Sequence, residues 1–120
     1  MKILISGSRD YRKLEYVSSF LSALDYDDLV IVGDAKGVDQ RVYDDWKCHE
    51  GHPDNYKLEV YTAFWDLHGN SAGIMRNLVM LEQLPDLVVA FWNGNSSGTK
   101  FIINAALARH INLKVIFDLL

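Results

Sequence analysis

The chain has 120 residues, a formal net charge of −4 and hydrophobic side chains at 49% of its positions. These values predict one domain over residues 1–120 that builds its core without metal or disulfide staples. An acidic chain without a block of lysine or arginine is a poor candidate for general nucleic-acid binding, which needs a positive surface. Cys48 is the only cysteine, which excludes an intrachain disulfide. The apolar runs are strand-sized, so we expect a cytoplasmic protein without a membrane partner.

Five short apolar runs rich in β-branched residues are regularly spaced along the chain. They predict strands over residues 2–6, 28–32, 57–61, 87–91 and 113–117. Four of these runs are near-continuous rather than alternating, which is typical of strands that are covered on both faces in a parallel sheet.

Between the runs, apolar residues spaced three or four apart predict four helices. The third is expected over residues 70–83, with Asn70 as its N-cap, and the fourth ends near His110. The residues that mark the other stripes are Leu14, Val17, Leu21 and Leu24, then Val38, Val42 and Trp46, and finally Phe101, Ala105 and Ala108. The alternating order predicts an α/β, Rossmann-like, open doubly wound parallel sheet of about five strands with helices on both faces. Ligands of such sheets bind outside the carboxyl ends of the strands, so the β-to-α turns are the candidate site.

The first two turns carry glycines beside charged side chains. Ser6-Gly7-Ser8-Arg9-Asp10 offers a close backbone approach, a hydroxyl and a cation next to a helix start, where anions bind well. The alternative is a plain turn in which Asp10 caps the helix and Arg9 is solvated. Residues 33–39, Gly-Asp-Ala-Lys-Gly-Val-Asp, match neither the dinucleotide nor the Walker fingerprint. Asp34 and Asp39 are candidates for ribose hydroxyls or proton transfer, although Asp39 also suits a first helical turn.

The third and fourth turns add an aromatic residue, an arginine and a run of small polar residues. Trp65 is a candidate for stacking on a base, and Arg76 and Asn77 are candidates for binding a phosphate or sugar. The alternative is that Trp65 lies in the core and Arg76 forms a surface salt bridge. Residues 91–99, Phe-Trp-Asn-Gly-Asn-Ser-Ser-Gly-Thr, lead directly into a helix and can form an anion-binding nest. Four such turns at one sheet edge predict a site for an anionic small molecule.

The combined pattern resembles the SLOG superfamily, closest to the YspA-like, YpsA-related branch of bacteria and phages. The matching segments come in the family's order and cover nearly the whole chain, at residues 6–9, 33–39, 65, 72–77 and 97–99. The resemblance implies a Rossmann-like domain that binds nucleotides or their derivatives, including NAD- and ADP-ribose-related signals. Lonely Guy phosphoribohydrolases, which cleave a base from ribose 5′-phosphate, and DprA-type proteins, which handle DNA, are more distantly similar.

One departure from the Lonely Guy pattern bears on catalysis. Those enzymes carry Pro-Gly-Gly-x-Gly-Thr followed by glutamates, whereas here Phe101 and Ile102 follow Ser97-Gly98-Thr99-Lys100. Neither Phe101 nor Ile102 can transfer a proton or stabilise an oxocarbenium-like centre. Phosphate binding is therefore better supported than that hydrolysis.

The sequence thus predicts a module that binds a nucleotide-type ligand, which contains phosphate and ribose. The module would sense, sequester or process this ligand. No cofactor is predicted with certainty. The alternatives are an N-glycosidic hydrolase, whose catalytic candidates are Asp34, Asp39 and Arg76, and an interaction module with a relic pocket. A homodimer or higher homo-oligomer is expected. The Cys48–His52 segment is interpreted as a polar helix end, and no metal is predicted. The expected ligand-binding residues are Gly7, Ser8, Arg9, Asp10, Gly33, Asp34, Gly37, Asp39, Trp65, Arg76, Asn77, Asn93, Gly94, Ser97, Gly98 and Thr99.

Overall fold

In a computed structural model, which describes residues 1–119, the chain forms an α/β fold around one five-stranded, all-parallel sheet. The strands are β1 (Lys2–Gly7), β2 (Leu29–Gly33), β3 (Lys57–Tyr61), β4 (Leu87–Trp92) and β5 (Asn112–Phe117). They stand in the order β3-β2-β1-β4-β5. The predicted parallel sheet is confirmed, and no strand end differs from its predicted position by more than one residue.

The helices are α1 (Leu14–Leu21), α2 (Val38–Cys48), α3 (Trp65–His68), α4 (Ala72–Glu82) and α5 (Ser97–Ala108), with a 3-10 turn at Gly69–Ser71. The short α3 was not predicted. It forms because the N–H groups of Leu67 and His68 both donate to the carbonyl oxygen of Phe64. The prediction that Asn70 caps the next helix is wrong, because Asn70 lies in the 3-10 turn and Ser71 is the residue before α4.

Two cores cover the two faces of the sheet. On one face, strand residues such as Ile5 and Val32 pack with Val17 of α1 and Val42 of α2. On the other face, Leu4, Ile31 and Val88 pack with Met80 of α4 and Ile102 of α5. The predicted helices on both faces are therefore confirmed. Burial on both sides explains the near-continuous apolar runs of β1, β2 and β4. For β5 the prediction of cover on both faces is wrong, because it is an edge strand without a buried residue. No helix among residues 1–119 is long and apolar enough to cross a bilayer.

The strand order reverses between β1 and β4. β1 pairs with β2 on one side and with β4 on the other, so that Ser6 stands beside Ala90 and Gly7 beside Phe91. The chain leaves β1 toward α1 on one face and leaves β4 toward α5 on the other. This divergence opens a crevice at the carboxyl edge of the sheet.

Two glycines bring the first and second turns into close contact. A Cβ on Gly7 would lie 2.4 Å from the Cβ of Val38, so the start of α2 could not pack there. Gly37 has a φ of +79°, a conformation that L side chains rarely adopt, and its Cβ position is 2.4 Å from the carbonyl oxygen of Arg9. These contacts fix where Arg9 and Asp39 stand relative to each other.

Candidate functional site

All four β-to-α turns meet around one cleft of about 720 Å³ at the carboxyl edge of the sheet. This volume is within the range of small-molecule sites. The lining residues are Ile5, Ser6, Gly7, Arg9 and Asp10 from the first turn and its strand, Ala35 and Asp39 from the second, Trp65, Asn70, Gly73, Ile74, Arg76, Asn77 and Met80 from the third, and Asn93, Asn95, Ser96, Ser97, Gly98 and Thr99 from the fourth.

One side of the cleft, the α5 wall, is formed by residues 93–99. The side-chain oxygen of Asn93 accepts hydrogen bonds from the N–H groups of Asn95 and Ser96, both at 2.8 Å. Ser96 is the N-cap of α5, and its hydroxyl accepts from the N–H of Thr99 at 3.5 Å. Among the described residues, the N–H groups of Ser97 and Gly98 have no hydrogen-bond partner. The α5 wall therefore presents uncharged donors at the positive end of a helix dipole.

Ser8 supports the α5 wall from behind. It is fully buried, its N–H donates to the carbonyl of Phe91 at 3.0 Å, and its hydroxyl accepts from the N–H of Asn93 at 3.1 Å. The side-chain amide of Asn93 donates to Asp10 at 2.6 Å, so Asp10 braces the same turn. Asp10 does not cap α1, because that helix begins at Leu14 and Lys13 precedes it.

The opposite side, the arginine wall, presents Arg76 and Asp39 to the cleft and has Asp34 behind them, paired with Arg76. The Nη1 of Arg76 lies 2.7 Å from Oδ1 of Asp34, and its Nε donates to the side-chain oxygen of Asn77 at 3.3 Å. Only 11% of the Arg76 side chain is exposed, whereas 31% of the Asp34 side chain is, so the ion pair lies at the surface with its arginine largely buried. Gly33 makes room for the guanidinium, since a Cβ there would lie 2.9 Å from its Cζ.

Asp39 is the titratable side chain of the cleft with the most perturbed environment. It is 6% exposed, and its Oδ2 accepts a hydrogen bond from the N–H of Ala35 at 3.1 Å. Burial raises the pKa of the Asp39 carboxyl to about 7, against the opposing effects of the Ala35 hydrogen bond and the positive charge of Arg76. The carboxyl is therefore partly protonated at neutral pH.

Trp65 stands at the rim of the cleft. Half of its surface is exposed, and its Cη2 lies 3.7 Å from the position that a Cβ on Gly73 would take. The alternative of a core tryptophan is therefore wrong. An exposed indole at the rim can stack on a planar group of a ligand.

Eleven of the sixteen expected ligand-binding residues line the cleft. The other five lie behind its walls or in the turns, namely Ser8, Gly33, Asp34, Gly37 and Gly94. The three catalytic candidates, Asp34, Asp39 and Arg76, are brought together in the arginine wall.

Two lining residues on α4, Gly73 and Met80, were not among the expected ligand-binding residues. Gly73, Arg76, Asn77 and Met80 share one face of the helix at spacings of three and four residues, and that face borders the cleft. Extending this spacing from Arg76 in both directions would have found Gly73 and Met80. The remaining lining residues outside the expected set are Ile5, Ser6, Ala35, Asn70, Ile74, Asn95 and Ser96.

A second cavity of about 450 Å³ lies between α1, α2 and the loop before β3, away from the strand ends. His49 and His52 line it, and each has a local partner. Nδ1 of His49 lies 2.9 Å from the carbonyl oxygen of Asp45, and Nδ1 of His52 accepts from the N–H of Asp54. Within residues 1–119, no three His, Cys, Asp or Glu side chains are grouped so that they could hold a metal ion.

Comparison with known proteins gives one informative match. No family model matches the chain, and no solved structure matches it. The Gene 61 protein of Mycobacterium phage D29 is 32% identical over 112 residues, which cover 88% of this chain and 87% of the phage protein. The chain belongs to the family of this phage Gene 61 protein.

Proposed function

We propose that the cleft binds a nucleotide or a nucleotide-derived ligand, with a phosphate at the α5 wall and the base toward Trp65. The observation that carries this proposal is a pair of N–H groups, on Ser97 and Gly98, that have no hydrogen-bond partner within residues 1–119. They lie at a helix start that faces a cleft lined by all four turns. Such a helix start binds phosphate through its N–H groups and its dipole. Arg9 lines the same cleft and adds a cation.

The charges of the cleft restrict the ligand further. Arg9 and Arg76 are its cations, but Arg76 is paired with Asp34 at 2.7 Å, and Asp10 adds a carboxylate near the α5 wall. A strongly charged triphosphate would meet little net positive charge there. We expect one or two phosphate groups, as in a nucleoside monophosphate or in ADP-ribose. Asp39 and Asn77 also line the cleft, and their side chains suit ribose hydroxyls.

The second candidate function is cleavage of an N-glycosidic bond, and the Asp39 carboxyl is the observation that favours it. A buried carboxyl with a pKa of about 7 is suited to general acid catalysis at neutral pH. The position of Ile102 speaks against a mechanism of the Lonely Guy type. Where those enzymes carry a glutamate, Ile102 is fully buried in the core beside α4. Binding is therefore the primary proposal.

The test is calorimetric titration of the protein with AMP, ADP-ribose and NAD, followed by chromatography of the ligand for products. We expect binding of at least one of them, and a loss of about tenfold or more in affinity for Arg9→Ala, because a charge-assisted contact is removed. Arg109→Ala, at the far end of α5, is the matched control and should bind as wild type.

This experiment distinguishes the two candidate functions from each other and from a relic pocket that binds no ligand. Binding without products supports the binding module, whereas release of a free base supports the hydrolase. If no ligand binds at millimolar concentration, both proposals fail and the cleft is a relic.

A further inference from the structure

We propose that the cleft takes up its ligand together with one proton, which the Asp39 carboxyl holds toward an oxygen atom of the ligand. This inference rests on the proposed function, because it concerns the same cleft, and it adds that pH regulates binding there. The ligand should bind well at mildly acidic pH and less well as the pH rises above neutrality.

One carboxyl oxygen of Asp39 is available to a ligand. The side chain is 6% exposed, and its Oδ2 accepts a hydrogen bond from the N–H of Ala35 at 3.1 Å. Its Oδ1 has no hydrogen-bond partner within residues 1–119, but this atom is not fully enclosed. Because Asp39 lines the cleft, Oδ1 is reached from the cleft. Buried polar groups normally have a partner, so the arrangement indicates that a ligand supplies one.

The arginine beside Asp39 does not form an ion pair with it. A Cβ on Gly33 would lie 2.8 Å from Oδ2 of Asp39 and 2.9 Å from Nε of Arg76, so both side chains reach the same point at the end of β2. The guanidinium nevertheless pairs with Asp34, which the N–H of Ala63 also holds. Within residues 1–119, no cation forms an ion pair with Asp39.

The charges around Asp39 favour its neutral form. The charged groups that face it are Arg76 on α4, Asp34 in the loop after β2 and Arg9 in the first turn. The charges of Arg76 and Asp34 largely cancel, and water screens the exposed Arg9. An ionised Asp39 would therefore be a buried charge without its own counter-ion. Consistent with this geometry, burial raises the pKa of the Asp39 carboxyl to about 7.

A phosphate-bearing ligand favours the protonated carboxyl further. It brings negative charge into the cleft and displaces water, and both effects disfavour an additional negative charge on Asp39. The protonated carboxyl also has a donor that the ionised one lacks, so it can donate a hydrogen bond to a ribose or phosphate oxygen. Ligand binding and protonation of Asp39 are therefore coupled, and each favours the other.

The first test is calorimetric titration of the full chain with ADP-ribose at pH 6 and pH 8, in buffers that differ in their heat of ionisation. ADP-ribose lacks the terminal phosphate of AMP, which itself titrates near about pH 6. We expect uptake of about one proton per ligand at pH 8 and almost none at pH 6, with an affinity about tenfold weaker at pH 8.

Asp39→Asn carries a permanent donor in place of the protonated carboxyl. It should take up no proton and should bind ADP-ribose equally well at both pH values. Asp54→Asn is the matched control, because it removes an exposed carboxylate away from the cleft, and it should keep the pH dependence of the wild type.

The second test needs no variant and follows the carboxyl carbon of Asp39 by NMR during a pH titration. We expect its midpoint to rise from about 7 in the free protein to above about 8 with saturating ADP-ribose. A midpoint that stays or falls would overturn the inference, as would binding that is independent of pH or proton uptake that persists in Asp39→Asn. The proposed function would survive these results. No binding of ADP-ribose at either pH would overturn both.

Discussion

The two walls of the cleft differ in how their polar groups are used. The α5 wall presents N–H donors that lack partners among the described residues, on a framework held by Ser8 and Asn93. The arginine wall presents charged groups that are already paired, since Arg76 binds Asp34 and Asn77. The α5 wall thus has donors available for a ligand, whereas Arg76 and Asp34 of the arginine wall already have partners within the chain.

Because of this difference, we expect substitutions in the two walls to have different effects on ligand affinity and on stability. Removing the N–H donors of Ser97 and Gly98 in the α5 wall should alter ligand affinity and leave stability nearly constant, because these donors have no hydrogen-bond partner within residues 1–119. Changes in the arginine wall should alter stability and its pH dependence, because Arg76 and Asp39 are largely buried beside each other. The following predictions test that separation, beginning with the largest effect.

Asp39 should make the unliganded protein less stable as the pH rises from about 4 to about 7. In this window the folded state keeps a proton that the unfolded state has lost, because burial raises the folded pKa to about 7. The full effect is about 2–4 kcal/mol, reached above pH 7. Asp39→Asn keeps an acceptor for the Ala35 N–H, so urea unfolding should show it more stable than wild type at pH 8 and similar at pH 4.

The control for this prediction is Asp54→Asn, which removes an exposed carboxylate away from the cleft. Its stability should follow that of the wild type across the whole pH range. An Asp39→Asn protein with the same pH profile as wild type would show that Asp39 does not hold a proton in the folded state.

Arg76→Ala should cost about 2 kcal/mol of unfolding free energy, because it leaves Asp34 without its ion pair and removes a positive charge near the buried Asp39. Arg41→Ala is the matched comparison, since 37% of the Arg41 side chain is exposed against 11% of Arg76, and it should cost less than about 1 kcal/mol. Equal losses in thermal or urea unfolding would contradict the distinction between a largely buried arginine and a more exposed one.

Ser97→Pro should weaken nucleotide binding about tenfold without destabilising the protein. Proline is favoured at the first position of a helix and lacks the N–H that we assign to phosphate. The preceding residue, Ser96, has φ −58° and ψ 122°, which a following proline accepts. Ser97→Ala keeps the N–H and serves as the control in calorimetric titration. If the two variants bind alike, the N–H of Ser97 is not a ligand contact.

The sequence was sufficient for the sheet because the sheet depends on local patterns. Runs such as Leu87–Trp92 are apolar on both faces, and that pattern alone identifies a covered parallel strand. The sequence was insufficient for the connection after β3. There α3 depends on hydrogen bonds to one carbonyl, that of Phe64, and on the packing of Trp65 beside Gly73. Neither feature produces a periodic pattern of apolar residues within the four residues of α3.

The candidate site could also be predicted only in part, because some of its features are local in the sequence and others depend on the fold. The turns could be located because each follows a strand, and their meeting at one edge follows from the topology. The direction of each side chain could not be predicted. Ser8 and Asp34 appear suitable for a ligand in the sequence, but Ser8 is fully buried behind the wall and Asp34 is held by Arg76 and the N–H of Ala63. Such partners lie far apart in the sequence and become evident only in the fold.

The central claim is that a nucleotide-type ligand binds at the α5 wall. It is tested most directly by recording amide NMR spectra of the protein during titration with AMP and ADP-ribose. We expect the largest shifts at Ser97 and Gly98 in the α5 wall and at the indole of Trp65 at the rim of the cleft. Shifts confined to the second cavity near His49 and Tyr56, or no shifts at millimolar ligand, would contradict it.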